Sequence, residues 1–247
     1  MVTAAATDAP QPKEDAQPHP KPRREPTSRP EYRVGMTFKS AQARRVYERS
    51  FHTMSYSAFS VDVILRVIGG KPDAVNAVMT LIDERIEIFG QSIEAELSTL
   101  KAKAQERGLK NLPSYSNPME VEVAISSPQA GKISRLLLRF DELMSVMDML
   151  WFNGELSGDK RIELQQNFER RFYSLAGFLF NIQGRARNQA KRQGKEDEVQ
   201  AEAPEQADTA KEIADEAILA AGEQDGSEDA ILAAASPSPE SELAQAA

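Results

Sequence analysis

Apolar and polar residues alternate along Met119–Ile125, and this period of two is typical of a β-strand that buries one face. We expect a strand over residues 119–126, with Glu120, Glu122 and Ala124 on its polar face. One strand of this length is not stable without a partner, and no second strand of equal clarity is visible in the sequence. The pattern therefore predicts pairing with the same strand of a second molecule, through Val121, Val123 and Ile125.

Two amphipathic helices are predicted directly after this strand. Ser127-Pro128 has the composition of an N-cap and a first helical residue. Apolar residues then recur at steps of three and four as far as residue 153, and a second pattern of this kind covers residues 159–190. We interpret the two patterns as a long helical hairpin.

A further apolar stripe predicts the longest helix, over residues 73–107. The stripe is long enough to pair with a helix of the same chain or with one across a dimer, and the sequence leaves both arrangements open. Two shorter helices are expected before it, a basic one over residues 41–49 and another over Ser57–Ile68.

Both ends of the chain differ in composition from this helical core. Residues 1–35 hold seven of the fourteen prolines, which predicts a disordered leader, and residues 193–247 form an acidic, alanine-rich tail that we also expect to be disordered. The tail repeats an acidic and apolar motif, Asp215–Ala221 and Glu228–Ala234. The repeat is compatible with a segment that binds a protein partner and equally with a neutral duplication.

Charge is distributed unevenly along the chain. The net charge is −8, yet residues 36–192 carry 22 basic and 18 acidic side chains, so the core is mildly basic. Two groups of cations could contact the phosphates of double-stranded DNA. They are Arg44, Arg45 and Arg49 in the first short helix, and Arg185, Arg187, Lys191 and Arg192 at the end of the last one. Stabilisation of a helix C-terminus by cations is the simpler explanation of the second group.

No pattern typical of catalysis is present. The chain has no cysteine and two histidines, and Ala130-Gly131-Lys132-Ile133 lacks the first glycine and the Ser or Thr of a phosphate-binding loop. Asp141 and Asp148 share a helix face, but we interpret them as capped or ion-paired acids near Arg135 and Arg139. We therefore predict a protein that is not an enzyme and has no cofactor or metal. The N-terminus does not resemble a secretion signal, and no run is long enough to span a membrane, so we expect a cytoplasmic protein.

These observations predict a mainly α fold: a helical core over residues 36–192 with one short strand followed by a long helical hairpin, flanked by disordered tails. The order of elements resembles a family encoded on integrating conjugative elements, and it is similar to the AcaB-type activators of conjugation genes. The segments that carry the resemblance are Tyr115–Pro118, Ser126–Ala130, Phe140–Leu143 and Leu150–Leu156.

The resemblance implies a ribbon-helix-helix-like dimer whose paired strands enter the major groove of DNA. The outward carboxylates Glu120 and Glu122 do not suit that task, because the groove is lined with phosphates. Two hypotheses follow. The chain is either a dimeric DNA-binding accessory or regulatory factor that uses its basic helix ends, or a helical protein-interaction scaffold of the same element.

Overall fold

A computed structural model describes residues 30–204 of the chain. Most of them are helical, and the elements follow in the order β1 (Tyr32–Phe38), α1 (Ala41–Val46), a π-helical turn (Tyr47–Phe51), α2 (His52–Val67), α3 (Pro72–Glu106), β2 (Met119–Ile125), α4 (Pro128–Phe152), α5 (Gly158–Arg192) and α6 (Glu196–Glu202). The strand and the helical hairpin of the sequence analysis are β2, α4 and α5. The first two helices are joined without a break by the π-helical turn. No helix in this part of the chain is both long and apolar enough to cross a membrane.

The partner of β2 lies in the same chain. β1 and β2 form a two-stranded antiparallel sheet in which Tyr32 pairs with Ile125 and Phe38 with Met119. The prediction that β2 lacks a partner within the chain is therefore wrong. The signal of β1 is weak because Gly35 interrupts it, although Met36 and Phe38 point inward and are buried.

The side chains predicted to form a dimer contact instead belong to the core of their own chain. Val123 is buried, and Val121 and Ile125 pack against the same core while partly exposed. The opposite face of β2 is polar and exposed, as its alternation predicts.

The predicted limits of the core, residues 36 and 192, are too narrow. β1 begins before the first limit, and α6 follows the second with Val199 buried. Most of the predicted leader (residues 1–29) and of the tail (205–247), including its repeat, lies outside the described residues.

The long helix α3 packs within the chain, on α4 and α5. The apolar stripe that predicts α3 included Val78 and Met79 at one position, and Met79 is only partly buried. The other members are buried: Val75, Val78, Ile82, Ile86, Phe89, Ile93, Leu97, Leu100 and Ala104. Aromatic rings join the three helices. Phe172 of α5 lies edge-on to Phe89 of α3 with centroids 4.7 Å apart, and 5.1 Å from Phe140 of α4. Such contacts stabilise a core beyond the area that they bury.

A buried carboxylate connects β1 to this helical core. Asp141 of α4 accepts hydrogen bonds from the backbone N–H of Ser40 at 2.7 Å, from the Ser40 hydroxyl at 2.7 Å and from the backbone N–H of Lys39 at 3.1 Å. The Ser40 hydroxyl in turn accepts from the N–H of Ala43 and caps α1. One side chain thus fixes the end of β1 and the beginning of α1.

We expect Asp141→Ala to lower the free energy of unfolding by about 3 kcal/mol, because hydrogen bonds to a charged group are lost and buried N–H groups are left without an acceptor. Glu163→Ala is the matched control, since Glu163 is exposed and pairs only with Lys160 among the described residues; it should change stability by less than about 0.5 kcal/mol. Urea denaturation followed by circular dichroism measures both. Equal effects of the two variants would contradict this role of Asp141.

Candidate nucleic-acid interface

The outward face of the sheet is acidic. Glu120 and Glu122 of β2 lie opposite Thr37 and Gly35 of β1, and Arg33 forms an exposed ion pair with Glu122 at 3.5 Å. Two carboxylates against one guanidinium give this face an excess of negative charge. A ribbon with such a face is poorly suited to the phosphate-lined major groove, where basic and amide side chains read the bases.

The first predicted group of cations already has partners within the chain. Arg44 pairs with Glu48 at 2.8 Å, one turn further along. Arg45 lies 3.8 Å from Glu169 of α5, and Arg49 lies beside Tyr173. The side chains of Arg44 and Arg45 are nearly half exposed, so phosphate could replace these weak surface pairs, but the charges are neutralised in the free protein.

The second predicted group is divided by the structure. Arg187 donates to the carbonyl oxygens of Ala203 and Pro204 at 2.8 and 3.3 Å and so satisfies the end of α6. Lys191 and Arg192 are exposed in the last turn of α5, where the helix dipole favours cations. The acidic first turn of α6 follows within a few residues and reduces the local positive potential.

The two groups do not form one patch. Arg45 contacts α5 at Glu169, and Arg187 lies 18 residues further along the same helix. At 1.5 Å per residue the separation is roughly 27 Å. Each group would therefore have to contact DNA separately.

The two aspartates of α4 are structural, which confirms their interpretation as capped or ion-paired acids. Asp148 accepts from Arg161 at 2.7 Å and from the hydroxyl of Tyr115 at 2.8 Å. The expected neighbours were wrong, because Arg139 pairs with Glu94 and Glu142 instead. Within residues 30–204 no group of three or more His, Asp or Glu side chains could hold a metal ion.

A groove of about 560 Å³ lies along the contact between α3 and α4. Its apolar part contains Ile86 and Leu136, and its cations are largely balanced. Lys132 pairs with Asp83 at 3.0 Å, and Arg139 is held by its two glutamates. The groove therefore presents little net charge to a polyanion.

The contact between α3 and α5 carries two arginines that the sequence analysis did not select. The guanidinium carbon of Arg85 lies 4.9 Å from the centre of the Phe178 ring, and that of Arg171 lies 4.8 Å from the centre of the Phe89 ring. A signal was available in the sequence. The residues three and four positions from each arginine are uncharged, so neither can form an ion pair along its own helix.

Comparison with known proteins gives one informative match. No protein-family model and no curated protein matches the chain. The solved structure of AcaB from uropathogenic E. coli is similar to it, with 39% sequence identity and a TM-score of 0.72. The match covers 77% of this chain and 98% of AcaB. The resemblance to AcaB-type proteins that the sequence suggests is thereby confirmed.

The hydroxyl of Tyr115 gives a pH-dependent prediction. Burial raises the pKa of this phenol above its ordinary value of 10.0. The unfolded chain therefore releases the proton at a lower pH than the folded one, so this contribution to stability is present below pH 10 and is lost as the pH rises further. Tyr115→Phe should reduce the loss of unfolding free energy above pH 10, by at most about 1.4 kcal/mol per pH unit.

Urea denaturation at a series of alkaline pH values measures the slope of the unfolding free energy against pH. Tyr32→Phe is the matched control, because it removes a hydroxyl that belongs to an exposed side chain. A slope that Tyr115→Phe leaves unchanged would show that the Tyr115 phenol titrates alike in the folded and unfolded chains.

Proposed function

This chain belongs to the AcaB family, and from that membership we propose that it is a non-enzymatic, DNA-binding regulatory protein of an integrating conjugative element. The observation that carries the proposal is the extent of the match, which includes almost the whole length of AcaB. AcaB-type proteins are expected to activate conjugation genes, and the basic balance of residues 36–192 is compatible with binding to a polyanion.

The arrangement of elements supports a ribbon-helix-helix-like module with one change. A two-stranded antiparallel ribbon packs on α1 and α4, but both strands come from one chain. The acidic outward face argues that the ribbon does not read base edges. We therefore assign DNA affinity to helical surfaces, which contact the phosphate backbone.

We also propose a homodimer. Within the described residues the sheet has two strands, so one backbone edge of β1 and one of β2 are unpaired. Such edges favour pairing with another chain. Light scattering coupled to size-exclusion chromatography should give twice the chain mass of 27.3 kDa. A monomeric mass at micromolar concentration would contradict the dimer.

A protein-interaction scaffold is the second candidate function. The acidic face of the ribbon and the pairing of several helix-surface arginines with carboxylates favour it. Both candidates are compatible with a dimer, so DNA affinity is the property that separates them.

Fluorescence anisotropy of the full chain with a 30-bp duplex of random sequence, across a salt series, tests the first candidate. We expect micromolar binding that weakens steeply with salt. Each phosphate neutralised should contribute about −0.9 to the slope of log K against log salt. The double variant Lys191→Glu/Arg192→Glu tests the end of α5 without disturbing Arg187. No binding at low salt would reject DNA affinity and leave the scaffold as the function.

A further inference from the structure

The contact between α3 and α5, defined by Arg85, Arg171 and the rings of Phe89, Phe168 and Phe178, is called here the α3–α5 seam. Each guanidinium is held close to an aromatic ring: Arg85 near Phe178, and Arg171 near both Phe89 and Phe168, at 4.8 and 5.8 Å. Cation–π contacts of this kind position a guanidinium while leaving N–H groups free to donate. The rings are buried and fixed by the core, so the arginines stand on a rigid base.

The charges of Arg85 and Arg171 are not balanced by an ion pair in the part of the chain that the structure describes. Within residues 30–204 neither forms an ion pair with a carboxylate, whereas Arg44 and Arg66 each pair with an acid one turn away. Burial lowers the pKa of Arg171, and no carboxylate contributes an opposing effect. The seam therefore presents positive charge that the described part of the chain does not satisfy.

The spacing of the two groups suits a polyanion. On α3, Arg85 lies four residues before Phe89, the ring that contacts Arg171. On α5, Arg171 lies seven residues before Phe178, the ring that contacts Arg85. At 1.5 Å per residue the guanidiniums are separated by roughly 6 to 10 Å along the helices. One strand of DNA places a phosphate every 3.4 Å along its axis, so this distance covers roughly two or three phosphates.

We infer that the α3–α5 seam binds the phosphate backbone of double-stranded DNA, with Arg85 and Arg171 as the donors. The inference rests on the proposed function and names the surface through which the chain would bind DNA. Arginine is suited to this role because its planar fork donates two parallel hydrogen bonds to one phosphate.

The salt series on the full chain tests the seam through the double variant Arg85→Gln/Arg171→Gln. We expect the slope of log K against log salt to fall by about 1.8, because two phosphate contacts are lost. Arg85→Lys/Arg171→Lys keeps the charges and should keep most of the slope, although it loses the planar fork. The matched control is Arg66→Gln/Arg107→Gln, which removes the same charge from two exposed, ion-paired arginines and should retain the wild-type slope.

The outcomes separate the inference from the proposed function. If the wild-type chain does not bind DNA, both fail. If it binds and the Arg85→Gln/Arg171→Gln variant keeps the full slope, or if the control loses as much, the seam is rejected while DNA binding stands. If the variant does not fold, modification of arginine by phenylglyoxal in the wild-type chain provides the test. Bound DNA should slow the modification of Arg85 and Arg171 at least fivefold. Modification of the two side chains at an unchanged rate would contradict the inference.

Discussion

The carboxylate of Asp141 is the contact on which the arrangement of the other elements depends. It lies on the central helix α4, yet its hydrogen bonds go to Lys39 and Ser40, about a hundred residues earlier in the chain. Because β1 is the strand that pairs with β2, fixing the end of β1 also fixes the ribbon relative to the helices. The same contact holds the cap of α1, so the first helical segment begins at a defined point on the core.

Aromatic packing then determines which surfaces remain for function. The rings of Phe89, Phe140 and Phe172 bring α3, α4 and α5 together, with α3 in contact with both of the other helices. The contact between α3 and α4 and the contact between α3 and α5 differ in the balance of their charges. Acids balance most of the cations beside α4, whereas Arg85 and Arg171 beside α5 face rings instead of acids. A partner that recognises charge would distinguish the two.

Helices were predictable from the sequence because their apolar period is long and regular, as in α3. β1 was not, because it is short, contains Gly35 and follows a proline-rich segment, so local pattern did not separate it from the leader. α6 was missed for a related reason, since one buried Val199 among acids gives no periodic signal. The partners of Asp141 and Asp148 depend on tertiary contacts, and residue type alone indicated only that these acids would be satisfied.

Counting cations and asking which cations lack an ion-pair partner select different surfaces of this chain. The chosen arginines of α1 are followed or faced by acids, so DNA would have to displace existing pairs to reach them. Arg85 and Arg171 need no such exchange, and their positions on rings reduce the side-chain entropy lost on binding. The basic excess of residues 36–192 is small and long-range fields are screened by salt, so affinity must come from local charge that is both unneutralised and already positioned. The α3–α5 seam meets both conditions.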